Sequence, residues 1–552
     1  MARTECPTLD GHPEALNLPS METDTVIVGN GPSAMILSYI LHGHIPFYRP
    51  DPPHPDQLLH AKLENNPELL NADVYALTEH FAASRLSYST QALPVNVLLD
   101  TLVRPSVDVN DAECISNVEW RYMPEKAVPH LVFGEAPVPG GQWTDNPMPA
   151  SWNIQTLSYS TMLSLPGSCF ARHYRNITGK DLPDFTRPTR QDVAEYYRAY
   201  PEAVGIDKAF RCNESVAGIS RTDNGFYIRS HNIRCKHLIL ASGIFSEVIQ
   251  PRPLLKPLLS LPPSPEFPLL VIGSGFSAAD VIISAPKNQK IIHIYKWDPE
   301  NRPSPLRSCH HQAYPEYAGV YRLMRRAAVS AEPNGKRPRA RRAMSTPFLE
   351  SRSWDEVYEG FPNTEIIGVD MREDHTIVTF RQNDGGTFTR PVRGLVSATG
   401  RRGTLRYLED SLLSEVLGPS DGPEINPVIS GQTLRSKALE DLEVARDVFI
   451  IGSLTGDSLV RFAYGGCVQT AGRLIRAHAG EQEIDKPGTG RSSTMPSPTG
   501  SSSVMNGIDG HYIYQSGDSS RDADMDKVDA MIPFTEKLGL GSLWRSFMYM
   551  FK

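Results

Sequence analysis

This sequence contains no Cys-x-x-Cys pair. Its seven cysteines (Cys6, Cys114, Cys169, Cys212, Cys235, Cys309 and Cys467) are scattered along 552 residues and odd in number. That pattern excludes a disulfide scaffold, a zinc ribbon and a dithiol redox centre, and it fits a reducing compartment. Cys309-His310-His311 finds no further ligand at metal spacing, so no metal is expected. Long apolar runs are also missing; none approaches the ~18 residues needed to span a bilayer. The first twenty residues carry Glu5, Asp10, Glu14 and three prolines, which leaves no room for the apolar core of a signal peptide. Positive charge is not in excess: the formal net charge is −8, which argues against nucleic acid or an anionic membrane as a global partner. A soluble, intracellular, cytoplasmic chain with no transmembrane segment is the expectation.

What is present is more specific. The length exceeds what one core usually supports, and 40% hydrophobic residues suffice for more than one. Two glycine fingerprints each follow a β-branched apolar run: Thr25-Val-Ile-Val-Gly29-Asn-Gly31-Pro32-Ser33-Ala34 and Leu269-Leu-Val-Ile-Gly273-Ser-Gly275-Phe-Ser277-Ala278. Each predicts a buried parallel strand, a tight turn and a helix whose N-terminus faces a pyrophosphate. The first glycine makes the turn, the second lets backbone approach the diphosphate, and the alanine permits close helix–strand packing. One such motif is weak, since an ordinary βα turn looks the same. Two suit a protein that passes hydride between a flavin and a nicotinamide dinucleotide. The expected fold is therefore α/β, with two Rossmann-like dinucleotide-binding domains of the FAD/NAD(P)-binding kind, the second inserted in the first.

Boundaries follow from composition. Residues 1–22 read as a flexible leader, 23–265 and 395–480 as a discontinuous FAD-binding domain, and 266–394 as an NADPH-binding domain. A Ser/Gly/Pro/Thr-rich tail, 481–552, is too polar to order itself over most of its length. A second strand, Ile45-Pro-Phe-Tyr48, is expected beside the first. The acid that should end it and bind the adenosine ribose falls near Pro50, which makes Asp51 the candidate. Residues 50–140 read as a proline-rich insertion, and 249–268, with seven prolines, as an interdomain linker. The second domain's strand Ile291–Tyr295 ends at Lys296. A cation there can pair with a 2′-phosphate, where NAD would want a carboxylate, so NADPH is preferred. Ser277 could add a hydroxyl donor to phosphate. Two apolar strands end on small residues, Ala241-Ser-Gly243 and Ala398-Thr-Gly400, which suits a chain crossing between domains. Gly452-Ser-Leu-Thr-Gly-Asp457 stands where flavoproteins carry a Gly-Asp holding the ribityl chain, and a reshaped loop would give that work to Asp457.

Four short stretches together carry a family resemblance: Val28-Gly-Asn-Gly-Pro-Ser33, Gly140-Gly-Gln-Trp143, Tyr314-Pro-Glu-Tyr317 and Gly452-Ser-Leu-Thr-Gly-Asp-Ser-Leu-Val-Arg-Phe462. Over about 25–480 the chain resembles the oxidative stress-induced growth inhibitor family, a branch of the flavin-containing monooxygenase and ornithine N-hydroxylase-like flavoproteins. The resemblance implies an NADPH-dependent monooxygenase-type fold and a role in restraining growth under stress. It also implies that Gly141, Gln142 and Trp143 lie against a flavin, against the plainer reading of Trp143 as core. The histidine signature that many flavin monooxygenases carry before the second fingerprint is absent; residues 245–272 contain no histidine.

The expected activity is hydride transfer from NADPH to FAD followed by O₂ activation, on an unidentified small-molecule or protein substrate. No catalytic side chain stands out. The rivals are a catalytically weakened fold acting as a regulatory interaction protein, and an NADPH oxidase releasing hydrogen peroxide. The basic run 322–342 reads as a solvated insertion, with nuclear import as its alternative. The aromatic segment from Leu538 to Phe551 suits docking or a protein partner.

Overall fold

Thr25–Val28 is buried at the centre of the first sheet, with Val26, Ile27 and Val28 in the main apolar core. The computed structural model describes residues 20–84, 86, 88–105, 115–331, 347–418 and 425–484. Residues 1–19 of the expected leader, most of the tail with its aromatic segment, and the later half of the basic run lie outside the described residues, and Met21 and Glu22 already belong to the first strand.

The strands are β1 (Met21–Val28), β2 (His44–Tyr48), β3 (Val118–Tyr122), β4 (His130–Gly134), β5 (Phe210–Cys212), β6 (Ile219–Thr222), β7 (Gly225–Ile228), β8 (Ile233–Leu240) and β9 (Glu247–Val248). They continue as β10 (Leu269–Ile272), β11 (Ile291–Tyr295), β12 (Tyr358–Pro362), β13 (Glu365–Met371), β14 (Thr376–Arg381), β15 (Thr387–Val392) and β16 (Leu395–Ser397). β17 (Arg401–Thr404), β18 (Val428–Ile429), β19 (Glu443–Ala445) and β20 (Val448–Ile450) complete the set.

The first sheet runs β19-β20-β8-β1-β4-β5, with the β6–β7 hairpin joined to β8. β1 pairs in parallel with β4 and β8, and both faces of the sheet are covered there, so Val26, Ile27 and Val28 are all buried and the run needs no polar alternation. This corrects the expected second strand. β2 pairs antiparallel with β3 in a separate two-stranded ribbon, and β4 takes the place beside β1. Pro46 supplies the reason: without an N–H it suits a ribbon edge and not the interior of a parallel sheet. The insertion therefore closes before β4, not at residue 140. Its helix Pro94–Val103 packs against the first helix's neighbour, Tyr464–Ile484. There a Cβ on Gly465 would stand 2.1 Å from the Val95 carbonyl oxygen, so only glycine lets these two helices meet.

The second sheet, β12-β11-β10-β16, is wholly parallel. Alternation along β10 divides two cores. Leu269 and Val271 face the helices Phe276–Ser284 and Pro315–Ser330, while Leu270 faces the antiparallel sheet β13-β14-β15 through Val378 and Phe380. Two boundaries move. β16 belongs to this sheet, so the second unit extends past residue 394 to Ser397. The proline-rich stretch is more than a linker, because its turn Pro253–Ser260 buries Leu255 and Leu258 under the second sheet.

Between the units the chain crosses twice, and the crossings pair as β9 with β17. Both small-residue endings lead into this ladder. At each, the first fingerprint glycine backs onto the alanine carbonyl: a Cβ on Gly29 would lie 2.3 Å from Ala241 O, and one on Gly273 2.4 Å from Ala398 O. Their φ values of +120° and +146° exclude a side chain as well.

Candidate functional site

A cavity of about 710 Å³ opens at the carboxyl end of the first sheet, within the usual range for ligand sites. Its walls bring together Gly29–Ser33, Gly141–Trp143 and Gly452–Ser453, pieces more than four hundred residues apart at the extremes. The joins are specific. Gly140 N donates to Asn30 O at 2.9 Å. The buried Asn30 side chain donates to Ala136 O at 3.1 Å, and a Cβ on Gly134 would sit 2.1 Å from Asn30 Cγ. Asn30 thus pins the loop leaving β4 against the fingerprint turn. Gly452, at φ +66°, leaves room for the Ser33 hydroxyl, which a Cβ there would approach to 2.3 Å.

The second glycines behave differently from the first. Gly31 and Gly275 have ordinary extended φ values of −81° and −104°, and a Cβ on either would meet nothing within 4 Å. Nothing in the protein requires glycine at these two positions. Each is also the N-cap of its helix and contributes no capping side chain, so the N-terminus of each helix stays open to an anion. Pro32 sits in the first turn of its helix, where a missing N–H is harmless, and Ala34 is fully buried against the sheet. These residues fit a dinucleotide diphosphate.

Several expected residues are repositioned. Asp51 lies exposed beyond β2 and is not part of the cavity wall, which follows from the displaced β2. The strand beside β1 ends instead at Gly134, and the next residue, Glu135, faces the cavity. Its signal was legible in His130-Leu-Val-Phe-Gly-Glu135, an apolar strand ending on an acid just before Gly140-Gly141. Trp143 is half-buried: it lines the cavity wall and also packs on the core, meeting buried Tyr197 edge-on at 5.8 Å. Gln142 lies beside it in the wall.

Asp457 also reaches the wall, but both its carboxylate oxygens already accept protein donors. Oδ2 accepts from Leu93 N at 2.8 Å and Asn96 Nδ2 at 2.7 Å, and Oδ1 accepts from Arg435 Nη1 at 2.8 Å. The loop therefore ties this carboxylate to the N-terminus of Pro94–Val103 and to Arg435 at the edge of the cavity. A second buried carboxylate, Asp100, accepts from Arg104 and Arg461 and ties the same helix to the loop after Asp457.

At the second fingerprint, Gly273 N donates to Ile294 O at 2.9 Å, which sets β11 beside the turn and leaves Lys296 exposed one residue beyond its end. Behind the turn, buried His293 bridges Gly273 O at 2.7 Å and the Tyr358 hydroxyl at 2.8 Å. Burial holds its imidazole down at about 4, so it stays neutral and structural. Ser277 is half-buried in the first helical turn, and Ala278 packs beneath it. Among the described residues no metal-ligating cluster occurs and no helix is long and apolar enough to cross a membrane.

Comparison with known proteins then narrows the reading. Oxidative stress-induced growth inhibitor 1 of Mus musculus is 27% identical over 499 residues, covering 82% of this chain and 95% of its own length. Over most of its length the chain is similar to oxidative stress-induced growth inhibitor proteins. Human oxidative stress-induced growth inhibitor 2 is 25% identical, covering 81% of this chain and 92% of its own. No protein-family model matches. Among solved structures, a bacillithiol disulfide reductase from Staphylococcus aureus covers 84% of this chain and 99% of its own at 11% identity, with a TM-score of 0.43. A flavin-containing monooxygenase from Stenotrophomonas maltophilia covers 83% and 99% at 13% identity, with a TM-score of 0.42. The sheet order gives this chain an α/β fold with two Rossmann-like units.

Proposed function

We propose that this protein is an NADPH-dependent flavoprotein oxidoreductase of the monooxygenase type, with FAD over the first sheet and NADPH at the second fingerprint. The observation that carries the reading is the pair Gly31 and Gly275. Both are glycines in ordinary backbone with empty space where a side chain would be, each at the open N-terminus of a helix. Bound FAD would supply the hydride acceptor and the centre at which O₂ is reduced.

The chain's own residues would do the rest. The first-turn amides of Ser33 and Ala34 face a diphosphate, and Glu135 accepts from ribose hydroxyls. Gly141, Gln142 and Trp143 wall the cavity near Gly452 and Ser453 and keep water from the flavin edge. Lys296 pairs with the 2′-phosphate of NADPH. The role named for the relatives, growth inhibition under oxidative stress, is the setting in which we place the activity. The substrate would be a small molecule or a protein.

One observation favours a second reading. The carboxylate expected at the ribityl chain is engaged elsewhere, so a flavoprotein fold that binds cofactors weakly and works through partners is the alternative. The visible spectrum of the purified full-length chain separates the two. Bound yellow flavin that NADPH bleaches without air supports the oxidoreductase, and colourless protein overturns it. Peroxide yield with and without added substrate then divides oxygenase from oxidase.

Two substitutions test the assigned contacts. Glu135→Ala is expected to weaken FAD about tenfold, the ~1.5 kcal/mol of a hydrogen bond to a charged acceptor. Asp51→Ala should leave FAD affinity unchanged; titration of the apoprotein reads both. Lys296→Ala should raise the dissociation constant for NADPH about tenfold and leave that for NADH where it was. Equal weakening of both nucleotides would remove Lys296 from the 2′-phosphate.

A further inference from the structure

Tyr314-Pro-Glu-Tyr317 forms no part of the first cavity's wall, yet each of its residues is engaged. Pro315 opens the helix Pro315–Ser330. The buried Tyr314 ring lies 4.8 Å from the guanidinium of Arg187, which comes from the first unit's chain between β4 and β5. Glu316 accepts from Arg187 Nη2. Tyr317 donates to Asp280 Oδ1 at 2.8 Å, lies 3.4 Å from Gln155 O and meets Phe276 edge-on at 5.7 Å. Asp280 and Phe276 both belong to the helix that follows the second fingerprint.

Arg187 is only 8% exposed, and each arm of its fork has an acceptor. Nε donates to Thr156 O at 2.7 Å within its own unit, while Nη1 donates to Ala313 O at 2.7 Å and Nη2 to Glu316, both in the other unit. A planar guanidinium held on three sides and stacked on a ring has one geometry. By contrast, the crossings that join the units pair through only Arg401 with Val248 and Arg402 with Glu247. Beside this short ladder, Met148 and Leu157 of the first unit pack on the apolar core of the second without fixing a direction as a buried guanidinium does.

We propose that Tyr314–Tyr317 is a latch that grips Arg187 and fixes the nucleotide-binding helix Phe276–Ser284 against the first unit, making Arg187, Glu316 and Tyr317 positioning residues for hydride transfer. The latch itself is a statement about the two units. Its bearing on hydride transfer rests on the cofactor reading above.

The test uses the full chain with a donor–acceptor fluorophore pair attached through bioorthogonal side chains at exposed Lys208 and Asp384, one in each unit. Arg187→Ala is expected to broaden the single-molecule distance distribution that is narrow in the native protein, and Arg187→Lys to restore it only in part. In the same variants FAD content should stay native while the rate of anaerobic reduction by NADPH falls at least tenfold, because a misplacement of about 1 Å can cost about a hundredfold. Glu316→Gln keeps the side chain's size and removes its charge, so it carries the measurement if Arg187→Ala does not fold. A distance distribution as narrow in Glu316→Gln and Arg187→Ala as in the native chain overturns the latch. If the native chain binds no flavin, the cofactor reading fails alone, because the distance measurement needs no cofactor.

Discussion

Gly31→Ala is expected to fold and melt like the native chain and yet to lose most of its flavin. The added methyl meets no protein atom within 4 Å, and φ at this position is −81°, which alanine adopts freely. The space it enters is the approach to a diphosphate at the helix N-terminus. A methyl forced into such a contact costs about 1–3 kcal/mol, or about 10- to 100-fold in affinity. Gly29→Ala, two residues earlier, is the control with the opposite signature. Its Cβ would overlap a backbone carbonyl at 2.3 Å and its φ is +120°, so strain and overlap of about 1–3 kcal/mol each fall on the fold itself. That is a large part of a typical stability of about 5–15 kcal/mol. Flavin absorbance per chain and the melting temperature of the apoprotein read the pair. A Gly31→Ala protein with full flavin content would falsify the first site.

Gly275→Ala should give the complementary protein: yellow, stable and slow to bleach with NADPH. The argument is the same, with φ at −104° and no protein atom near the new methyl. Stopped-flow reduction under nitrogen measures it, and the expected loss shows in the NADPH concentration needed for half-maximal rate, about 10- to 100-fold higher. Flavin content should not change, because the first cavity is built without any residue of the second fingerprint. If flavin is lost together with the NADPH response, the two sites are not separate in the way described.

The parts of this protein that were legible in its sequence are local. An apolar β-branched run, a glycine turn and an alanine three residues on form one continuous unit, so both fingerprints and their helices could be read directly. Trp143 and its neighbours were legible by resemblance, and the cavity wall contains them. What failed was adjacency. Ile45–Tyr48 has the composition of a second strand, but Pro46 lacks the N–H that a central parallel strand needs, and β2 pairs outside the sheet. That single displacement leaves Asp51 off the cavity wall and puts Glu135 on it. For Asp457 the sequence position marked the loop, and the cavity wall contains it, but not the partners of its carboxylate, which a helix from the insertion engages.

The sequence by itself determined two turn-and-helix units, the lack of any Cys-x-x-Cys pair, and a cation after β11, because these depend on residues within a few positions of one another. Only the tertiary structure decided which strand lies beside β1, which acid faces the cavity and what grips Arg187. Each of those depends on backbone hydrogen bonds and buried charges between segments tens to hundreds of residues apart, and no local pattern specifies such a partner.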